Sequence, residues 1–198
     1  MVLCGGRSSR MGRSKALLKF GSETMLARVV RLLLLAVDEV VVVAASRQQL
    51  PPLPASARVV RDRRPRQGPL EGLATGLAAL EPEVVAVFVT GCDVPLLVPA
   101  FVTRVIDLLG EHDCAVPRID RIEQPLAAAY RPRVSAQISE MLAQNNRSVR
   151  ALFERVRTRL IEANELTDVD PQLLSLRNCN SPADYRAVLL AADVRNES

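Results

Sequence analysis

Four runs rich in valine and alanine, Val40 to Ala45, Ala57 to Arg61, Val84 to Thr90 and Cys114 to Pro117, alternate with segments whose apolar residues recur three and four positions apart. Parallel strands need a crossover between them, usually a helix, so this alternation predicts an α/β fold with a mainly parallel central sheet and helices on its faces. The spacing places helices over Thr24 to Ala36, Pro69 to Leu80, Val98 to Leu109, Arg131 to Gln144 and Ser148 to Arg155. Pro69 suits a first helical turn, where its missing amide costs nothing. A final helix is expected to start with Ser181 as its N-cap, after the short run Leu173 to Leu176. The opening strand is brief, since only Met1 to Cys4 precede the first glycines, which leaves open an abbreviated strand or a start upstream of Met1. With no internal repeat, low-complexity tract or long linker, a single domain over residues 1–198 is expected.

At 198 residues a sizeable core is within reach, and folding should bury about 70% of the unfolded surface without disulfides or structural metal. The apolar runs are short: Leu32 to Val37 is cut by Asp38 and Glu39, and a membrane span needs about 20 apolar residues in a row. No secretory leader pattern is visible, so a cytoplasmic location without membrane association is expected. Cys4, Cys92, Cys114 and Cys179 form no CxxC pair, and His112 cannot complete a zinc site by spacing; reduced thiols are the expectation. A net charge of +4 is compatible with nucleic-acid binding, but aromatics make up 3% and tryptophan is absent, so stacking platforms are scarce and no nucleic-acid partner is expected. Nearly all basic residues are arginine; the lysines are Lys15 and Lys19.

The densest chemical signal is the stretch from Leu3 through Cys4, Gly5, Gly6, Arg7, Arg10, Met11, Gly12 and Arg13 to Lys15, directly after the first apolar residues. Glycines at 5, 6 and 12 let a ligand approach the main chain and let successive amides point at one anion, while the arginines and Lys15 add positive charge. The pattern is neither a Walker A loop nor the dinucleotide GxGxxG motif. A glycine- and serine-rich turn with solvated arginines is the plainer alternative. Asp93 follows the run Val84 to Thr90, at the carboxyl edge of an expected central strand, where open α/β sheets bind ligands. A carboxylate there suits Mg²⁺, a hard cation that bridges phosphate oxygens; a helix cap or an Asx turn before Pro95 is the alternative. Glycines at 68, 72 and 76 lie one turn apart on a helix, for close approach either of a flat ligand or of the sheet itself.

These pieces together resemble the molybdenum cofactor guanylyltransferases. The ordered set comprises Leu3-Cys4-Gly5-Gly6 through Arg10-Met11-Gly12 and Lys15, then Asp62, Gly68-Pro69-Leu70-Glu71-Gly72-Leu73, Cys92-Asp93-Val94-Pro95, Gln124-Pro125-Leu126 and Asn178-Cys179-Asn180-Ser181-Pro182. The first and fourth mark the wider MobA-like nucleotidyltransferases, which include cytidylyltransferases; the Asn-x-Asn-x-Pro ending points to the guanylyl member. One departure is Cys4, where the family usually has alanine. The resemblance implies a three-layer Rossmann-like nucleotidyltransferase fold. It also implies transfer of GMP from GTP to the phosphate of a molybdenum-bearing molybdopterin with release of pyrophosphate, Mg²⁺ as cofactor, and other cofactor-biosynthesis proteins as possible partners. By position it implies that Leu3, Cys4, Gly5, Gly6 and Gly12 border the nucleotide and wrap its triphosphate, with Arg10 and Lys15 pairing with the phosphates. Asp93 would hold the metal, Asp62 with Gly68, Pro69, Leu70 and Gly72 would border guanine and ribose, and Asn178 and Asn180 would lie toward the pterin.

The chemistry is consistent with what the chain lacks. In-line attack by an already ionised phosphate needs positioning and charge neutralisation rather than a nucleophilic side chain, and no Ser/His/Asp or Cys/His arrangement is visible. His112, between Glu111 and Asp113, reads as a surface residue, and Asn178 and Asn180 also suit an ordinary turn. A cytidylyltransferase of the same superfamily is the alternative reading; a noncatalytic nucleotide or nucleic-acid binder is the alternative from another class.

Overall fold

The computed structural model describes residues 1–5, 14–62 and 68–196. Ten short strands and six α-helices alternate along them. The strands of the main sheet are β1 (Val2–Leu3), β4 (Val40–Ala45), β5 (Ala57–Asp62), β6 (Val87–Gly91), β7 (Cys114–Ile119), β8 (Ile122–Glu123), β9 (Ala127–Tyr130) and β10 (Thr158–Glu162). Their order is β10-β7-β9-β6-β1-β4-β5, with β8 paired to β7. A small antiparallel pair, β2 (Lys19–Phe20) and β3 (Glu23–Thr24), stands apart. The helices are α1 (Met25–Leu33), α2 (Pro69–Leu77), α3 (Pro99–Asp107), α4 (Val134–Ala143), α5 (Val149–Phe153) and α6 (Pro182–Asn196).

The valine run of β4 shows why the sheet is sandwiched. Side chains alternate between faces along a strand. Val40 and Val42 enter a core with Leu26, Val29 and Leu33 of α1 and Phe101, Val102 and Val105 of α3. Val41 and Val43 face a second core with Leu70, Leu73 and Leu77 of α2, Val134, Ile138 and Met141 of α4 and Leu152 of α5. A strand buried on both faces reads as a continuous apolar run, as this one does. The three layers expected from the alternation are therefore present. β1, β4, β5 and β6 are mutually parallel, as are β7 and β10.

Two features depart from the sequence reading. β9 is antiparallel to both of its neighbours, β6 and β7, and so interrupts the parallel sheet. Three alanines and a tyrosine carry no strand-like period of their own, and pairing with two neighbours determines their conformation. β10, also unmarked by any pattern, closes that edge against β7. The expected helices are present with ends trimmed, as where the Pro69 helix ends at Leu77 instead of Leu80, while the strands keep or outrun their expected carboxyl ends, as where the Cys114 strand continues past Pro117 to Ile119.

A third cluster, Phe20, Met25, Leu96, Leu174, Cys179, Val188 and Ala192, fastens the C-terminal segment to the body. Asp170, buried, accepts from the amides of Leu174 and Ser175, and Ser175 Oγ accepts from the Val98 amide ahead of α3. Among the described residues no helix is long and apolar enough to cross a membrane.

Candidate active site

The strand order reverses direction at β1: the chain moves to β4 and β5 on one side and to β6 on the other. Open α/β sheets leave a crevice at the carboxyl ends of the strands at such a point. The segments leaving β1, β4, β5 and β6 all emerge along this one edge. They deliver Cys4 and Gly5, the turn to Gln48, Asp62, and the turn carrying Asp93.

Asp93 lies two residues past the end of β6, with its side chain one-fifth exposed. Its carboxylate folds back against the strand end: a Cβ on Gly91 would collide with Asp93 Oδ1, so glycine lets the carboxylate sit where it does. Lys15 Nζ donates to Asp93 Oδ2 at 2.8 Å and to Asn180 Oδ1 at 2.6 Å. One ammonium therefore joins residues from the beginning, the middle and the end of the chain. The Cys179 amide donates to the Asp93 carbonyl at 2.7 Å, which ties the C-terminal segment to the same turn. Arg28 steadies the turn's far side, with Nε donating to the Pro95 carbonyl at 2.7 Å and its guanidinium 4.7 Å from the Phe20 ring centre. The alternatives of a helix cap or a plain Asx turn at Asp93 are not what the carboxylate does here.

Asn180 is held by the start of α6. Asp184 Oδ2 accepts from the Asn180 and Ser181 amides, and Ser181 Oγ accepts from the Asp184 amide. The Ser181 hydroxyl first, then the Asn180 and Ser181 amides, hold the Asp184 carboxyl below its ordinary value. Asn178 is exposed two residues earlier.

On the other flank, Gln48 bridges two strand ends. Its Nε2 donates to the Cys4 carbonyl at 3.0 Å and to Cys4 Sγ at 3.3 Å, while its Oε1 accepts from the Ala45 amide. The two thiols act on each other: the neighbouring Cys92 lowers the Cys4 thiol, and Cys4 together with burial raises Cys92. Asp62, half-buried, ends β5 beside Ala45.

Gly68 takes a positive φ of 89° ahead of α2, and Pro69 opens that helix, both exposed toward the crevice side of the chain. The rest of the stretch has another role. The Leu70 side chain is fully buried in the core under α2. A Cβ on Gly72 would touch Leu3, and one on Gly76 would meet Met1 and Val43 at 3.0 Å or less. At 76 the small residue serves close helix-to-sheet packing, whereas at 72 there is room for a methyl group in ordinary contact with Leu3. Arg10, Gly6 and Gly12 lie outside the described residues.

Among the described residues no three His, Cys, Asp or Glu side chains converge on a common point. A divalent cation held here would thus rest on Asp93 together with substrate phosphate oxygens and water. That donor set suits a hard octahedral ion such as Mg²⁺, not an all-protein cage. His112 lies before β7, at the opposite end of the sheet, with Nδ1 3.3 Å from the Leu109 carbonyl. Sequence reasoning missed Gln48, Gly91, Arg28 and Asp184. Only Asp184 had a local signal, the Ser-x-x-Asp spacing of a capping box.

Residues 1–160 match the sequence pattern of the MobA-like NTP transferase domain. A Mycobacterium avium protein named as a molybdenum cofactor guanylyltransferase is 37% identical over 195 residues, covering 96% of this chain and 94% of its own. A Methanosarcina mazei protein with the same name is 33% identical over 200 residues, covering 96% and 88%. The crystal structure of molybdopterin-guanine dinucleotide biosynthesis protein A from Archaeoglobus fulgidus has the same fold, with a TM-score of 0.80, 20% identity and 97% of each chain covered. So does 2-C-methyl-D-erythritol 4-phosphate cytidylyltransferase from Thermus thermophilus, with a TM-score of 0.71, 18% identity and 100% and 98% covered.

Proposed function

Because this chain belongs to the MobA-like NTP transferase family, we propose that it is a guanylyltransferase that joins GMP from GTP to the phosphate of a molybdenum-bearing molybdopterin and releases pyrophosphate. Full-length similarity to relatives of that name supports the choice. The observation that carries it in the structure is the meeting of Lys15, Asp93 and Asn180 at the carboxyl edge of the sheet. Asn180 lies beyond the matched 160 residues, so the reading takes all 198 as one catalytic domain.

The residues divide the work by position. The backbone from Leu3 to Gly5 faces the triphosphate, and Gly6, Arg10 and Gly12 keep the phosphate-binding roles that the sequence resemblance implies for them. Lys15 gives up its contacts with Asp93 and Asn180 for phosphate oxygens when the nucleotide enters, so its charge is exchanged from one anion to another rather than exposed. Asp93, so released, would hold Mg²⁺, which when bound spreads the developing charge of the departing pyrophosphate. Asp62, Gly68 and Pro69 border the nucleoside, with Leu70 and Gly72 setting the helix that carries them. Asn180 and Asn178 turn to the acceptor. The attacking phosphate is already ionised at neutral pH, so no general base is required, and holding two anions in line supplies the rate.

Pyrophosphate release in the presence of molybdopterin and Mg²⁺, compared for GTP, CTP and ATP, tests this. Release from GTP is expected. Release from CTP alone would replace the reading with that of a cytidylyltransferase, the activity named for one of the structures sharing this fold.

A further inference from the structure

Leu3 and Gly91 are partners in the parallel pairing of β1 with β6. The next residue on each strand is a cysteine, so Cys4 and Cys92 leave the sheet side by side, on the face opposite Leu3. Both are buried in the core under α1 and α3, close enough for each thiol to shift the titration of the other. Neighbouring parallel strands run about 4.8 Å apart, inside the ~4.4–6.8 Å between Cα atoms that a disulfide spans. The other two free cysteines lie on different elements, Cys114 in β7 and Cys179 ahead of α6. Gly5, adjacent to Cys4, is exposed, so a small oxidant has a short path to the pair.

We propose that Cys4 and Cys92 are an oxidation site, at which a two-electron oxidant of the peroxide class converts the adjacent thiols to a disulfide that slows nucleotidyl transfer. The sulfur of Cys4 attacks one peroxide oxygen, the O–O bond breaks, and water leaves with the thiol proton to give a sulfenic acid. The sulfur of Cys92 then displaces that hydroxyl; an S–S bond forms and a second water departs. The two thiols lose two electrons and two protons, which the peroxide takes up. Closing the sulfurs to a bond of about 2.05 Å turns both side chains, takes Cys4 Sγ from the Gln48 amide that holds it at 3.3 Å, and clamps the two strand ends to one another. One end opens the glycine-rich segment and the other carries Asp93. The bond formation itself is independent of the proposed activity; its effect on transfer rests on that reading.

The test treats the reduced, full-length protein with hydrogen peroxide, blocks free thiols and maps peptides by mass spectrometry. Expected are a Cys4–Cys92 cross-link, loss of two hydrogens from the intact mass, and a fall in GTP-dependent pyrophosphate release of at least about tenfold, as for a sub-ångström to ångström misplacement of reacting groups. Dithiothreitol should restore both mass and turnover. Cys92→Ala, whose side chain takes no part in the proposed transfer, should keep its turnover under peroxide. A cross-link to Cys114 or Cys179, oxidation of Cys4 to the sulfinic acid without a cross-link, or a Cys4–Cys92 disulfide with unchanged turnover would each overturn the proposal. Absence of transfer by the reduced enzyme with every nucleotide would instead sink the functional reading, and the peptide map would still decide whether the disulfide forms.

Discussion

At the amino end of the sheet, Met1, Leu33, Val41, Phe88 and Ile106 line a cavity of about 90 Å³ that Glu39, Arg58 and Glu81 also border. At its carboxyl end Lys15, Asp93 and Asn180 close on one another through charge and hydrogen bonds. The first end is held by apolar area removed from water, which is non-directional and depends on volume. The second is held by polar contacts between residues 78 and 165 positions apart in the chain. In the proposed reaction each of those contacts is exchanged for a phosphate oxygen of the substrate. One sheet thus has an end that carries stability and an end whose bonds are replaceable, and the two should respond differently to substitution.

The largest effect is expected at the amino end. Phe88 is almost fully buried and meets Phe101 edge-on, with ring centres 6.4 Å apart. Phe88→Ala should lower unfolding stability by about 3–5 kcal/mol in denaturant melts, with turnover per folded molecule largely kept. A specific loss of turnover without loss of stability would erase the distinction between the ends. Next come Lys15→Ala and Asp93→Asn, each expected to reduce turnover by at least ~10²-fold, the scale of one lost preorganised electrostatic contact. Their melting temperatures should fall by less than that of Phe88→Ala, because both side chains keep about a fifth of their surface in water, which can hydrate the partner left behind. Near-normal turnover in either would remove that residue from the site.

Asn180→Ala sharpens the comparison within the carboxyl end: GTP-induced thermal stabilisation is expected to remain while transfer to the pterin is lost. Equal loss of both would place Asn180 with the nucleotide. The smallest effect belongs to the start of α6. Ser181→Ala removes a helix cap and should cost about 1 kcal/mol. The Asp184 carboxyl, held low by Ser181 and the Asn180 amide, contributes stability above its unfolded value of about 3.9 and loses it as pH falls through the lower folded value. The melting-temperature gap between wild type and Asp184→Ala should therefore be constant from neutral pH down to about 4 and narrow below it. A gap that opens near pH 7 would contradict this assignment.

Much of the site was readable because its signals are local. Asp93 is marked by the apolar run before it, and the segment Leu3 to Lys15 by glycines that no helix or strand would choose. Lys15 carried only a hint, as one of two lysines in an arginine-rich chain. Its meeting with Asn180 could not be read at all, since nothing near residue 15 records what folds back from residue 180. The glycine stripe shows the opposite case. A pattern compatible with either a ligand or a packed sheet turns to packing at Gly76 only because Met1 and Val43 lie beneath it.

What the sequence determined by itself is what one element can encode alone: the alternation of strand and helix, the two-sided burial of β4, the Ser181 cap and the placement of Asp93 after β6. These follow from side-chain periodicity and local hydrogen bonding, which act within a few residues. The tertiary structure decided the antiparallel insertion of β9, the side-by-side thiols of Cys4 and Cys92, the bridge made by Gln48 and the joining of Lys15 to both Asp93 and Asn180. Each of these depends on which strands become neighbours. That choice is made by the packing of whole layers, a balance of long-range burial and chain topology that no short stretch of residues contains.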